Sequence, residues 1–172
     1  MAWYEEFLQA IRSMTSVSHK RTKAATFWFP PMVGMLCLNV DGTYVPSLQH
    51  GGIGGVLRNE KGEFIAGFAY RVPNVSSPYH TELLAIKYGL EIIQALEEDQ
   101  DLSPLGTIVE EIKGLLAALQ SIGVHHTYRT ANHVAHRLAG LGFDSDIHME
   151  WFFQAPESVL DALQYDCNRM NH

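Results

Sequence analysis

The clearest pattern early in the chain is an alternation of apolar and polar residues with a period of two. Leu38 and Val40 alternate with Asn39 and Asp41. Because successive side chains of a strand point to opposite faces, this pattern predicts a β-strand over residues 36–41. The strand is expected to end at an Asp-Gly pair, with the Asp41 carboxylate on the face opposite Leu38 and Val40.

A β-hairpin is predicted next. The glycine-rich stretch 51–58 and the apolar stretch 63–70 flank a polar turn that contains Gly62. The glycines do not follow the GxxxxGK[ST] or GxGxxG spacing of phosphate-binding loops. Their pattern therefore favours strand positions that mark either a β-bulge or the close approach of another backbone.

Helical patterns dominate the rest of the chain. Ser77-Pro78 and Ser103-Pro104 are typical helix starts, and apolar residues at helical spacing follow each of them. A further strand is predicted over 124–128, and Thr130 is expected to cap a third helix. The order strand, hairpin, helix, helix, strand, helix predicts an α/β domain with a mixed sheet flanked by helices. The apolar positions of the first helix are Leu83, Ile86, Leu90 and Ile93. Those of the third helix are Val134, Leu138 and Leu141.

The two ends of the chain differ from this central part. Residues 3–14 carry Trp3, Phe7, Ile11 and Met14 at helical spacing and predict a short amphipathic helix. Residues 15–27 are polar and basic and are interpreted as a linker. We therefore divide the chain into an N-terminal helix and linker at 1–27, a central domain at 28–143, and a C-terminal tail with one short helix at 144–172.

Composition and charge exclude several classes of protein. Hydrophobic residues make up 47% of the 172 residues, which is enough for a sizeable core. The net charge of -7 argues against a broad basic surface for nucleic acid. Cys37 and Cys167 are too few for a disulfide framework and fit a reducing intracellular compartment. Since no apolar run approaches the roughly 20 residues of a membrane span, no membrane association is expected.

Segments 38–42, 54–58, 81–90 and 126–139 stand in an order that resembles the ribonuclease H family. The resemblance is greatest to plant ribonuclease H-like domains, many of which are relics of reverse-transcriptase elements. It covers about residues 28–165. It implies a nuclease fold and metal-dependent endonuclease hydrolysis of RNA–DNA hybrids.

The same resemblance implies site residues. Asp41 matches the aspartate of the family's first strand, and Glu82 matches its helix glutamate; both are expected to be catalytic and to bind Mg²⁺ or Mn²⁺. Taken singly, Asp41 is also typical of an Asp-Gly turn, and Glu82 of the first turn of a helix. Nucleic-acid contacts are implied for Gly42, Thr43, His126 and Asn132.

The sequence departs from the family at two acidic positions. After the first long helix the family has another strand that ends in an acid. In this chain residues 96–100 are followed directly by 101–104, with no alternating apolar run that could form such a strand. We infer an internal deletion of about twenty residues, one strand plus one short helix. One central strand is thus expected to be missing, and 124–128 is expected to pair with 36–41 instead, in a four-stranded sheet. Asp99 and Asp101 follow no strand and are interpreted as solvated loop acids.

The second departure is His136, which stands where ribonucleases H often have aspartate. The plant domains that this chain resembles often have histidine there, so the position alone does not exclude activity. Neutral imidazole is a poorer Mg²⁺ ligand than carboxylate, so His136 is at best a substitute ligand. With two of four carboxylates left, the metal is expected to bind weakly if at all, and hydrolysis to be severely reduced. Three hypotheses stay open: a hybrid endonuclease, a non-catalytic nucleic-acid-binding or protein-interaction module of the same fold, and a mis-spliced product without a stable fold.

Overall fold

The computed structural model describes residues 27–98 and 127–168. The predicted N-terminal helix, most of the linker, the second predicted helix and His126 lie outside these residues. The elements are β1 (Cys37–Val45), β2 (His50–Arg58), β3 (Phe64–Pro73), α1 (Pro78–Glu98), α2 (His133–Asp144), β4 (Met149–Phe152) and α3 (Glu157–Asn168), with short 3-10 turns at Pro46–Leu48 and Arg129–Ala131.

The four described strands form one sheet in the order β1-β2-β3-β4, and each neighbouring pair is antiparallel. The predicted α/β class and the predicted hairpin are confirmed, whereas the described ladders contain no parallel pair. The prediction that the first strand ends at Asp41 is wrong. Pairing with β2 carries β1 on to Val45, opposite His50, and the chain reverses in the 3-10 turn that follows.

The fourth strand is not the one expected at residues 124–128. β4 pairs with β3, on the side of the sheet away from β1. Thr127 and Tyr128 belong to no strand, and residues 124–126 lie outside the described part of the chain. β4 escaped prediction because it has only four residues, which is too short for a recognisable period. It ends where Phe153 adopts a φ of 60° and its N–H donates to the Ile65 carbonyl at 2.8 Å.

Helices cover both faces of the sheet. On one face α1 packs over a core that includes Ile53, Leu57, Phe68 and Ile92. On the other face α2 and α3 pack over a second core, whose buried members are Val56, Ala69, Val134, Ala135, Leu138, Val159, Ala162 and Leu163. No helix among the described residues is long and apolar enough to cross a membrane.

The ends and faces of the helices differ in part from the prediction. α1 begins at Pro78 as expected, and Leu83 and Leu90 are buried, but Ile86 and Ile93 are only partly buried. Thr130 does not cap α2. The helix begins at His133, after the 3-10 turn, with Asn132 at its N-cap position.

Glycines of β2 allow α2 to lie directly on the sheet. A Cβ atom built on Gly54 would stand 2.3 Å from the backbone nitrogen of Ala139, and one on Gly52 would stand 2.1 Å from the Ala139 carbonyl oxygen. Since the obstructing atoms are helix backbone, the helix itself would have to move. Of the two alternatives left open for these glycines, the close approach of another backbone is therefore confirmed at Gly52 and Gly54.

A buried polar network joins the start of the described chain, the sheet and α3. Arg58 is 1% exposed, donates to Asp166 Oδ2 at 2.7 Å and to Asn39 Oδ1 at 2.9 Å, and its guanidinium lies 3.6 Å from the centre of the Trp28 ring. Trp28 Nε1 donates to the same Asn39 oxygen at 2.9 Å. Burial lowers the pKa of the Arg58 guanidinium, and the hydrogen bond and charge of Asp166 oppose that shift. The charge is thus held in the interior by its partners.

Gly54→Ala is expected to lower the free energy of unfolding by about 3 kcal/mol or more, because the new methyl group overlaps the backbone of α2. The matched control is Gly140→Ala, inside α2, where an added Cβ has no atom within 4 Å. That control is expected to raise stability by about 0.5–1 kcal/mol. Urea denaturation measures both, and equal stability of the two variants would contradict the packing described here.

Asp166→Asn is expected to lower the free energy of unfolding by about 3–5 kcal/mol, since it leaves the Arg58 charge buried without an anion. Asp161→Asn is the control, because Asp161 forms an exposed ion pair with Arg137 and should change stability little. Thermal melts at neutral pH compare the two. A loss no larger in Asp166→Asn than in the control would show that the buried ion pair contributes no net stability.

Candidate active site

The candidate site is centred on Asp41, in the middle of β1. Its side chain lies on the face opposite Leu38 and Val40, as the alternation predicts, and faces α2. The Nδ1 atom of His136 hydrogen-bonds Asp41 Oδ2 at 2.7 Å. The Asp41 side chain is 24% exposed and the His136 side chain 35% exposed, so solvent reaches the pair.

The sheet register explains why these two residues meet. Asp41 lies opposite Gly54, and the absent side chain there lets α2 approach β1 and β2. Ala139 of α2 rests on Gly54, and His136 lies three residues earlier on the same helix. Residues three apart share a helix face, so the contact that seats Ala139 also points His136 toward Asp41.

Glu82 lies in the helical layer on the other face of the sheet from His136. It is exposed in the first part of α1, which packs on the Leu38 and Val40 side of the sheet. A Cβ atom on Gly42 would stand 2.7 Å from Thr81 Oγ1. Asp41 and Glu82 are therefore the sequence neighbours of Gly42 and Thr81, which contact each other. Asp41 faces the α2 layer, whereas Glu82 belongs to the α1 layer on the other face of the sheet.

Asn132 is placed beside the same strand. It is 8% exposed, and its Nδ2 donates to the Val40 carbonyl at 2.9 Å, which anchors the start of α2 to β1. Its Oδ1 is buried without a hydrogen-bond partner. Of the other residues expected to contact nucleic acid, Gly42 packs on α1, Thr43 is partly exposed, and His126 lies outside the described residues.

The described donor set does not fit a pair of Mg²⁺ ions. Residues 27–98 and 127–168 contain no group of three or more His, Cys, Asp or Glu side chains placed to hold a metal ion. Asp41 is the carboxylate at the centre of the site, and its Oδ2 atom already shares a hydrogen bond with the His136 imidazole. This pair supplies one carboxylate, which cannot by itself bridge and balance two divalent cations.

Two features of this site escaped prediction from the sequence. The contact between Asp41 and His136 joins residues 95 positions apart, and Asn132 was expected to contact nucleic acid rather than β1. The spacing of Asn132 and His136, four residues apart, is a signal that both lie on one helix face toward β1.

A family model described as reverse transcriptase-like matches residues 39–100 and 91–142, together more than half of the chain. The chain belongs to this reverse transcriptase-like family. The two matches overlap at residues 91–100. This overlap adjoins the junction of residues 96–100 and 101–104, at which the sequence indicates a deletion. The predicted ribonuclease H-like character of the domain is confirmed by this match together with the likenesses that follow.

Two similar proteins agree with this assignment. A protein of Arabidopsis thaliana named as a putative ribonuclease H protein is 26% identical over an alignment of 172 positions, gaps included, that covers 89% of this chain and 28% of the relative. The chain thus spans under a third of that protein. The N-terminal ribonuclease H domain of a Mycobacterium tuberculosis protein, solved fused to maltose-binding protein, superposes with a TM-score of 0.50. That match has 14% identity, covers 63% of this chain and 93% of the other, and shows the fold.

Asn132→Ala is expected to lower the free energy of unfolding by about 1–2 kcal/mol, because the hydrogen bond to the Val40 carbonyl is lost in a buried setting. His133→Ala, the next residue and exposed, should have little effect. Urea melts of both variants measure the difference. If Asn132→Ala were as stable as His133→Ala, this bond would not be what holds α2 to β1.

Proposed function

We propose that this ribonuclease H-like domain binds nucleic acid, with RNA–DNA hybrids as the ancestral substrate, and that its metal-dependent hydrolysis is strongly reduced. The observation that carries the proposal is the hydrogen bond between His136 Nδ1 and Asp41 Oδ2. An imidazole takes the place at which the family often has a second carboxylate beside the first-strand aspartate.

The chemistry of the available metal ligands is the reason for the reduced hydrolysis that we propose. Two-metal phosphodiester hydrolysis needs carboxylates that converge on both cations, to position the attacking water and the leaving oxygen. Mg²⁺ and Mn²⁺ prefer oxygen ligands, and a nitrogen donor without negative charge holds them less tightly. Asp41 meets His136 instead of a carboxylate. This replacement of an anionic ligand by an imidazole is the ground for the reduced metal affinity that we propose.

Nucleic-acid binding is supported by what surrounds the pair. Arg129, in the 3-10 turn before α2, and His133, the first residue of α2, are both exposed. Together with the backbone of Gly42 and Thr43 they offer donors to a sugar–phosphate chain. Because the whole chain carries a net charge of -7, this binding is expected to be weak and to fall as salt rises.

The first test is cleavage of an end-labelled RNA–DNA hybrid with Mg²⁺ or Mn²⁺, using protein that melts cooperatively. We expect little or no cleavage, together with salt-sensitive retention of the hybrid. Asp41→Asn is the control for any residual activity. Efficient cleavage that disappears in Asp41→Asn would show that the surviving donors suffice and that the proposed impairment is wrong. A folded protein that retains no nucleic acid would point to the protein-interaction module.

His136→Asp is expected to raise the affinity for Mn²⁺ by about tenfold or more, because it puts a second carboxylate beside Asp41. His133→Asp makes the same charge change at an exposed position of the same helix and should leave the affinity almost unchanged. Calorimetric titration measures binding, and the Tm of His136→Asp should rise with added Mn²⁺. Equal affinities in the two variants would mean that position 136 does not belong to a metal site.

A further inference from the structure

A run of apolar side chains is exposed just before β1. Phe29 is 66% exposed, Met32 74%, Val33 90% and Leu36 54%. They stand within eight consecutive residues, together with Met35, which is 40% exposed. Single exposed apolar residues are common, but a contiguous set of this kind marks a surface that another element covers. We call these five residues the entry patch.

The entry patch is a preformed surface. Upstream, Trp28 is held by the hydrogen bond to Asn39 and by its stacking on Arg58. Downstream, the chain enters β1. Between them, Met35 N–H donates to the Met32 carbonyl at 3.0 Å, and Gly34 has a φ of 79°, so the chain makes a tight turn. The turn therefore holds its apolar side chains in solvent at defined positions, and little entropy is lost when they are covered.

We propose that residues 3–14 of the same chain dock on the entry patch as an amphipathic helix. The sequence places Trp3, Phe7, Ile11 and Met14 at helical spacing, which makes one aromatic and aliphatic stripe. The entry patch offers side chains of the same kind, including two methionines, which adapt readily to a partner's shape. Burial of the stripe on the patch removes both apolar surfaces from water.

Chain length and connection favour this occupant over a separate molecule. The segment 15–26 joins the proposed helix to the described chain, whose first residues, Phe27 and Trp28, directly precede the entry patch. Twelve residues span up to about 40 Å when extended, whereas a twelve-residue helix is about 18 Å long. The helix can thus lie on the patch without strain in the connection. The tether also supplies an effective concentration of the order of millimolar, which a free partner must exceed.

Disulfide cross-linking in the full chain tests the contact. The background variant carries Cys37→Ser and Cys167→Ser, and its melt must match that of the native protein. Val33→Cys is then combined with Phe7→Cys or with Ile11→Cys, so that one exact register of the helix is not required. The matched partners on the polar side of the predicted helix are Gln9→Cys and Ser13→Cys. A second control replaces Val33→Cys by Leu160→Cys, which is 49% exposed on α3 and outside the entry patch.

The yield of monomeric cross-linked protein under mild oxidation at low concentration is the readout. We expect the Phe7 or the Ile11 pair with Val33→Cys to exceed both polar-side pairs and both Leu160→Cys pairs by about fivefold or more, as a docked stripe requires. Equal yields from the apolar and polar sides would overturn the proposal. Cross-links that form only between two molecules would overturn it as well, and would assign the entry patch to a second copy of the chain.

Discussion

The interior position of the Arg58 charge is the constraint on which the rest of this structure depends. A guanidinium that is 1% exposed is tolerated only if an anion, hydrogen-bond acceptors and an apolar cover surround it. Asp166 supplies the anion from α3, Asn39 supplies an acceptor from β1, and the Trp28 ring covers the cation. The chain that enters β1, the sheet and the last helix are thereby tied together, although these residues are far apart in sequence.

A second constraint, the glycine-lined surface of β2, positions the candidate site. Helix backbone rests where side chains would otherwise stand, so α2 lies closer to the sheet than ordinary side-chain packing allows. This closeness brings the Asn132 amide to the Val40 carbonyl and the His136 imidazole to the Asp41 carboxylate. The geometry of the site thus follows from a packing requirement.

Membership of the reverse transcriptase-like family and the ribonuclease H-like fold agree with what the motifs indicated. The sequence also departs from that family at the positions that matter for hydrolysis. The proposed loss of metal-dependent cleavage, and the proposed cover for the apolar residues before β1, describe a domain that keeps the family's scaffold.

Local patterns alone determined the hairpin, the start of α1, the face of β1 on which Asp41 lies and the family, since each depends on the period or motif of a short segment. The pairing of β4 with β3, the extension of β1 to Val45 and the start of α2 at His133 needed the tertiary structure. A four-residue strand has no recognisable period, and strand and helix ends are set by partners distant in the chain. For the same reason only the folded chain shows that His136 bonds Asp41, 95 residues away.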